Sequence, residues 1–416
     1  MSVWDRTGCG KTKPCWARVT GPLAPFADGF RAESLRLGHT PLTAATHLRL
    51  MAGLSNWLAE HDLSVSALSD AAVVAEFFES RRAAGYTGLI SPKALQPMIA
   101  FLREGGALPP SVTPAPADAT ESLLEGYAVW MRRQRGLAET TVALNLRLVR
   151  PFLAGRVRAD GSLDTEGLSA AAVNAYVVDQ AAARPRSAKR IVTALRSLLT
   201  FLHVEGMIDS PLAASVPSPA GWTLAGLPKA LPRSQVAALL ASCDKDTGTG
   251  RRDTAILLLM ARLGLRAGEV AALGLDDVHW RTGEITVRGK GGRCDRLPLP
   301  VDVGAAIADY LRHGRPTGAL ARTVFIRAQA PFTALATAAV IQVVDAAGRR
   351  SGTGVTGAHR LRHSAATAML AAGGSLEEIG QVLRHVRPAT TAIYAKADLP
   401  ALEPLARPWP GTRAGT

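Results

Sequence analysis

Cysteine and aromatic side chains are scarce in this chain. Four cysteines occur in 416 residues, Cys9, Cys15, Cys243 and Cys294, and no two of them form a C-x-x-C pair. That spacing indicates neither a zinc site nor a disulfide framework, and makes a reducing, cytoplasmic compartment the expected one. Aromatic residues make up 5% of the sequence, and only five are tyrosines. No apolar run approaches the length needed to cross a bilayer: the stretch from Ala255 to Leu265 is interrupted by Arg262, and the N-terminus has no apolar signal core.

Acidic residues are also in deficit. Thirty-four Asp and Glu stand against 48 Lys and Arg, a formal charge of +14 carried mostly by arginine. Such a balance suits a protein that neutralises phosphates along a nucleic acid, although a codon bias toward arginine would produce it too. A chain of 416 residues exceeds one ordinary core, so two or three domains are expected.

Gly8-Cys9-Gly10-Lys11-Thr12 has the look of a phosphate-binding loop, but a Walker motif needs glycine where Asp5 stands and an apolar strand before it. A nucleotide site is not expected there. From residue 22 to 108 the pattern is helical. Leu48, Met51, Leu54, Trp57 and Leu58 form one apolar stripe, and Val73, Val74, Phe77 and Phe78 another. A similar order recurs about one hundred residues later. Leu48-Arg49-Leu50 matches Leu146-Arg147-Leu148, Leu68-Ser69 matches Leu168-Ser169, and Phe101-Leu102 matches Phe201-Leu202. Two related helical bundles joined by the proline-rich segment Pro109 to Pro116 are therefore predicted.

Pro211 to Pro232 reads as a linker. Beyond it Asp253 to Leu265 is an apolar helix that delivers Arg266 at its end. Glu284 to Arg288 alternates as a strand, Gly289-Lys290-Gly291-Gly292 makes a turn, and Arg296-Leu297-Pro298-Leu299 begins the return. The final region holds His359-Arg360-Leu361-Arg362-His363, then Leu383-Arg384-His385, then Thr391-Ala392-Ile393-Tyr394. A tyrosine hydroxyl is a poor nucleophile at its ordinary pKa. It attacks a phosphate ester only where cations neutralise the phosphate oxygens and an acceptor takes its proton.

Gly264-Leu265-Arg266-Ala267-Gly268-Glu269, Lys290, His359 with Arg362, His385 and Tyr394 stand in the order found in tyrosine recombinases of the phage integrase and Xer type, which this chain resembles over about residues 120 to 396. One departure is Arg384, where that family usually has glycine, and it bears on the local turn. The resemblance implies a mainly α fold with a small antiparallel β-sheet in the catalytic domain: helical N-terminal bundles followed by an α+β catalytic domain. The expected boundaries are an irregular segment at 1–21, an additional helical domain at 22–108, a core-binding DNA-binding domain at 119–210, a linker at 211–227, the catalytic domain at 228–396 and a tail at 397–416.

Site-specific recombination through a 3′-phosphotyrosyl intermediate is the implied activity. Arg266 and Arg362 are the expected phosphate clamp, because guanidinium offers parallel donors and keeps its proton. Glu269 orients Arg266. Lys290 is the expected general acid for the 5′ oxygen, His359 the partner of the tyrosine proton, His385 a donor to the phosphate and Tyr394 the nucleophile. No metal, ATP or other cofactor is expected, since the tyrosyl link conserves the energy of the phosphodiester. The implied partners are double-stranded DNA and a homotetramer on two sites, with integration or excision of a mobile genetic element among the implied roles. Arg184, Arg186, Lys189, Arg190 and Arg196 are candidate phosphate contacts of the second bundle, and Arg349 and Arg350 are candidates on the loop from Gly348 to Gly357. Each has a plainer alternative as a solvated surface charge.

Three rivals are set against this reading. His359 and His363 have the four-residue spacing of zinc hydrolases, but Arg360 occupies the position where glutamate is needed. A type IB topoisomerase would use the same chemical groups on single sites. An accessory DNA-binding protein would have lost catalysis, which a complete residue set disfavours.

Overall fold

A computed structural model describes residues 16–110, 118–218, 229–289, 293–387 and 390–397, except 166, 186, 356 and 386. Lys290, Arg186, the loop-like motif at 8–12, the tail beyond 397 and much of both linkers lie outside the described residues.

Local signals start the helices where the sequence places them. Thr40 accepts from the Thr43 amide with Pro41 in the first turn to open α2 (Pro41–Glu60), which follows α1 (Ala27–Arg36). Asp70 caps α3 (Ala71–Ala83), and α4 (Gln96–Glu104) completes the first bundle. In the second, Asp118 caps α5 (Ala119–Arg133), α6 (Glu139–Ala154) follows, Ser169 caps α7 (Ala170–Ala183), and α8 (Ala188–Val204) closes it. Each cap satisfies an amide that the first helical turn cannot pair internally.

Each bundle buries its own apolar core, one from Leu23 to Leu108 and one from Leu123 to Val216. The matching segments also end alike. After α4, Ala107 N–H donates to Leu102 O at 2.8 Å around Gly106 at φ 71°, and after α8, Met207 N–H donates to Leu202 O at 2.8 Å around Gly206 at φ 69°. Left-handed φ at a helix exit favours glycine, and the two exits lie one hundred positions apart.

By contact density the chain forms two compact units, Ser111–Thr223 and the remainder, Met1–Pro110 with Leu224–Thr416. In the larger unit α9 (Arg233–Ala241) leads to α10 (Gly248–Leu263), whose residues Ala255 to Met260 are all buried. Around it pack α12 (Val301–Asp309), α13 (Thr337–Arg350) and α14 (His359–Ala371), and the short α11 (Ala267–Ala272) lies against α13. A three-stranded antiparallel sheet runs β1 (Val278–His279), β2 (Glu284–Arg288), β3 (Cys294–Pro298), with Ile285 opposite Leu297. Ile285 and Val287 are buried while their neighbours along β2 are not, the period-two pattern of a strand with one face on the core. A second, small apolar cluster of Ala366, Ile379, Leu383 and Tyr394 joins α14 to α15 (Leu376–Val382) and to the 3₁₀ segment Ala392–Ala397. The mainly helical architecture with one small sheet is the fold class the sequence predicts.

Two local expectations are corrected. Arg266 does not end α10. The helix stops at Leu263, Gly264 turns the chain at φ 60°, and Arg266 is the residue before α11. Arg349 and Arg350 are not on a loop, because α13 continues through Arg350.

Candidate active site

The exit from α10 sets the position of the first arginine. A Cβ on Gly264 would meet Leu383 Cδ2 at 2.5 Å, so glycine both allows the left-handed turn and lets α15 approach. Two residues on, Arg266 stands at the cap position just before α11 and is held by Glu269 in two ways. Its backbone amide donates to Glu269 Oε2 at 2.8 Å and its Nη1 to Oε1 at 2.6 Å. The Arg266 side chain remains 43% exposed.

Arg362, on the first turn of α14, is only 1% exposed. Its Nη1 donates to Gly264 O at 2.6 Å and its Nη2 to Leu383 O, so it welds the exits of α10 and α15 to α14. Burial, and then the Arg266 and Arg384 guanidiniums, pull Arg362 down to about 10, which leaves it protonated near neutrality. Two of its five N–H donors are committed to those carbonyls.

Helical spacing puts His359, Arg362 and His363 on one side of α14. The His359 and His363 rings meet edge to face at 4.7 Å between centroids, and His363 meets the Tyr394 ring at 5.6 Å. His363, rather than His359, is thus the ring that meets the tyrosine, edge to face. Burial and the nearby arginines depress His359, while burial, His359 and Arg362 push His363 down to about 4. His385 is pushed down to about 4 by burial and then by Arg362 and Arg266. All three are therefore neutral near pH 7. His385 Nδ1 lies 2.7 Å from the Thr391 hydroxyl. Thr391 is a partner that no recognisable spacing in the sequence identifies.

Tyr394 is 2% exposed and packs among Ala366, Ile379 and Leu383. Burial raises its phenol above the ordinary value, opposed by the Arg362 guanidinium. A cleft of ≈ 350 Å³ is lined by Leu265, Arg266, Ile341, Gly357, His359 and Arg362. A larger cleft of ≈ 550 Å³ is lined by Arg293, Leu376, Gln381, Arg384, His385 and Thr391.

Residues 229–399 match the model of the phage integrase family. The chain is 39% identical over 396 residues to "Putative integrase/recombinase y4rA" of Sinorhizobium fredii (strain NBRC 101917 / NGR234), spanning 94% of this chain and 95% of that protein. The chain belongs to the phage integrase family of tyrosine recombinases. It is also 30% identical over 298 residues to tyrosine recombinase XerC of Xanthomonas campestris pv. campestris (strain B100), covering 70% of this chain and 89% of that one. Two solved structures share the family fold. XerH bound to a palindromic difH substrate has a TM-score of 0.55 at 18% identity and covers 69% of this chain and 96% of that one. A lambda integrase dimer on a COC′ core site has a TM-score of 0.52 at 16% identity and covers 71% and 80%.

Against the family pattern, Arg384 is informative. It has φ 55°, the left-handed region that suits the family's glycine, and its guanidinium is buried on Glu269, with Nη2 to Oε2 at 2.7 Å. The turn survives the substitution. Among the other candidates, Arg196 donates to Val216 O at 2.7 Å and to the Ser218 hydroxyl at 2.9 Å, holding the chain that leaves the second bundle. Arg350 donates to Ser242 O at 3.0 Å while staying exposed. Lys189 and Arg190 are exposed in the first turn of α8. Arg184 and Arg349 are exposed as well.

Proposed function

We propose that this protein cuts and rejoins duplex DNA at specific sites through a 3′-phosphotyrosyl link at Tyr394, without metal or ATP. The observation that carries the proposal is the convergence of Arg266, Arg362, His359, His385 and Tyr394, drawn from separate stretches of sequence, onto neighbouring elements of one unit. Arg266 presents an exposed, oriented guanidinium to a phosphate oxygen, and Arg362 supplies its remaining donors from the floor of the cleft. Neutral His359 accepts the phenol proton. With the Thr391 hydroxyl donating to Nδ1, His385 keeps its proton on Nε2 as a donor to the phosphate. Lys290 protonates the leaving 5′ oxygen.

A phenol that is 2% exposed cannot meet a duplex phosphate where it rests. Cleavage on this reading requires the 3₁₀ segment Ala392–Ala397 to lift from the Ala366, Ile379 and Leu383 cluster. The second bundle, residues 119–210, grips the DNA backbone, with Lys189 and Arg190 as phosphate contacts. Cations in the first turn of a helix oppose its dipole, and a phosphate there would relieve both. We assign the active form as a homotetramer on two sites of a mobile element, acting in the cytoplasm on the nucleoid, with residues 228–396 as the catalytic domain.

The test is covalent capture on a nicked duplex that traps the cleaved strand. The protein should become linked to the 3′ end, with EDTA having no effect, and Tyr394→Phe should remove the link while duplex binding stays. A Tyr394→Phe protein that still becomes linked would refute the assignment.

A further inference from the structure

Arg384 occupies a backbone position that disfavours it. At the end of α15, His385 N–H donates to Gly380 O at 2.9 Å and Arg384 N–H to Gln381 O at 2.9 Å, and Arg384 between them has φ 55°. This is a Schellman ending, whose left-handed residue is usually glycine because a Cβ there crowds its own carbonyl. The compensation lies at the far end of the side chain. The Arg384 side chain is 3% exposed, donates from Nη2 to Glu269 Oε2 at 2.7 Å and from Nη1 to Val382 O at 2.9 Å. Glu269 is the same carboxylate that holds Arg266 by backbone and side chain.

We infer that Arg384 is a positioning residue for Arg266, acting through Glu269. The inference rests on the phosphate-binding role proposed for Arg266. Glu269 is itself buried, and burial alone would push its carboxyl upward. The Arg266 amide and the Arg384 and Arg266 guanidiniums outweigh that and hold it below the ordinary value. With Arg266 as its sole guanidinium partner, the ion pair would be neutral overall and would offer a phosphate little field. With Arg384 added, two guanidiniums share one carboxylate and the group keeps a net positive charge. That charge faces the side where Arg266 is exposed, because Arg384 and Glu269 are both buried. Arg384 does not bind the phosphate itself, since reaching out would strand a buried carboxylate and the Val382 carbonyl.

The test uses the full chain and the nicked trapping duplex, comparing Arg384→Gly, Arg384→Asn, Arg384→Lys, Arg266→Ala and the Arg266→Ala/Arg384→Gly pair. Glycine and asparagine both tolerate the left-handed turn, so at least one uncharged variant keeps the backbone. Outer partners of metal ligands typically carry about ten- to hundred-fold effects, and a guanidinium held through a shared carboxylate is expected on the same scale. Arg384→Gly and Arg384→Asn should slow covalent-complex formation by about that factor with duplex affinity unchanged, and Arg384→Lys should recover part of the rate. In the Arg266→Ala background Arg384→Gly should add no further loss. Wild-type rates in both uncharged variants, or losses that multiply in the double variant, would overturn the inference while leaving the proposed function standing. A wild-type chain that never links to DNA through Tyr394 would overturn both.

Discussion

Arg362→Ala separates scaffolding from chemistry more sharply than any other single change. The guanidinium donates to Gly264 O and Leu383 O from a side chain 1% exposed, tying α10 and α15 to α14. Hydrogen bonds from a charged donor contribute about 1.5–3 kcal/mol each, and truncation leaves two interior carbonyls unpaired. A loss of about 3–5 kcal/mol follows, in the range of other broken buried charge networks. With an unfolding entropy of about 2.1 cal/mol/K per residue, a kilocalorie moves the melting of a unit of this size by about 1.6 °C, so the calorimetric transition should fall by about 5–8 °C. Arg266→Ala removes a partly exposed ion pair worth about 0–1 kcal/mol, so it should melt within a few degrees of wild type. Both variants should be severely slowed in covalent capture, with a residual rate that can still be measured. Calorimetry and capture on the same preparations decide the matter. Equal melting temperatures for the two variants would refute the view that Arg362 is a structural weld as well as a clamp.

Gly264→Ala should lower both stability and cleavage, since it forces a left-handed alanine, about 1–2 kcal/mol, into a position where its Cβ meets Leu383, and cleavage at the wild-type rate would count against the turn as the determinant of Arg266 placement. Acidification should destabilise the protein. The folded pKa values of His363 and His385 are depressed to about 4, so the stability their neutral forms carry is complete above the unfolded value of about 6.5 and is lost as pH falls from there toward about 4. Thermal melts across that window check it, and a melting temperature flat in pH would contradict it. Lys189→Ala and Arg190→Ala should each weaken duplex binding for all sequences alike and reduce the slope of log affinity against log salt by about 1, and an unchanged slope would remove them from the phosphate contacts.

Much of this was legible because local chemistry and global fold agree. Glu284 to Arg288 alternates apolar and polar, and that alternation is the strand β2. The caps Asp70 and Ser169 announce α3 and α7 as clearly as the apolar stripes that follow. What the sequence hides are meetings between distant residues. Nothing near Arg384 indicates that it reaches Glu269 across 115 positions, and nothing near His385 singles out Thr391 as its partner. The apolar pattern carries the helix before Arg266 two residues too far, to Leu265 instead of Leu263, because Gly264 looks equally like a packed glycine and a helix exit, and only φ separates the two. Burial of Tyr394 is likewise invisible in sequence, because Ile393-Tyr394 would read the same on a surface.

The two helical bundles end alike and differ in charge. Their fourth helices end in the same bonded turn, at Gly106 and Gly206, and bury the same leucine, Leu102 and Leu202. Their charges differ. Residues 22–108 hold eight acidic and seven basic side chains, whereas residues 119–210 hold nine and twelve. Where the second copy has Lys189 and Arg190, the first has Leu89 and Ile90 at the corresponding offset. A near-neutral bundle would release few counterions from a duplex, so removing basic side chains is expected to weaken duplex binding in the second bundle and not in the first. The first bundle belongs to the same compact unit as the candidate catalytic residues, and there Phe332 N–H donates to Leu37 O at 3.2 Å beside Gly38, whose missing Cβ leaves room for the Phe332 ring. Core and helix endings match between the two bundles, and the charge does not.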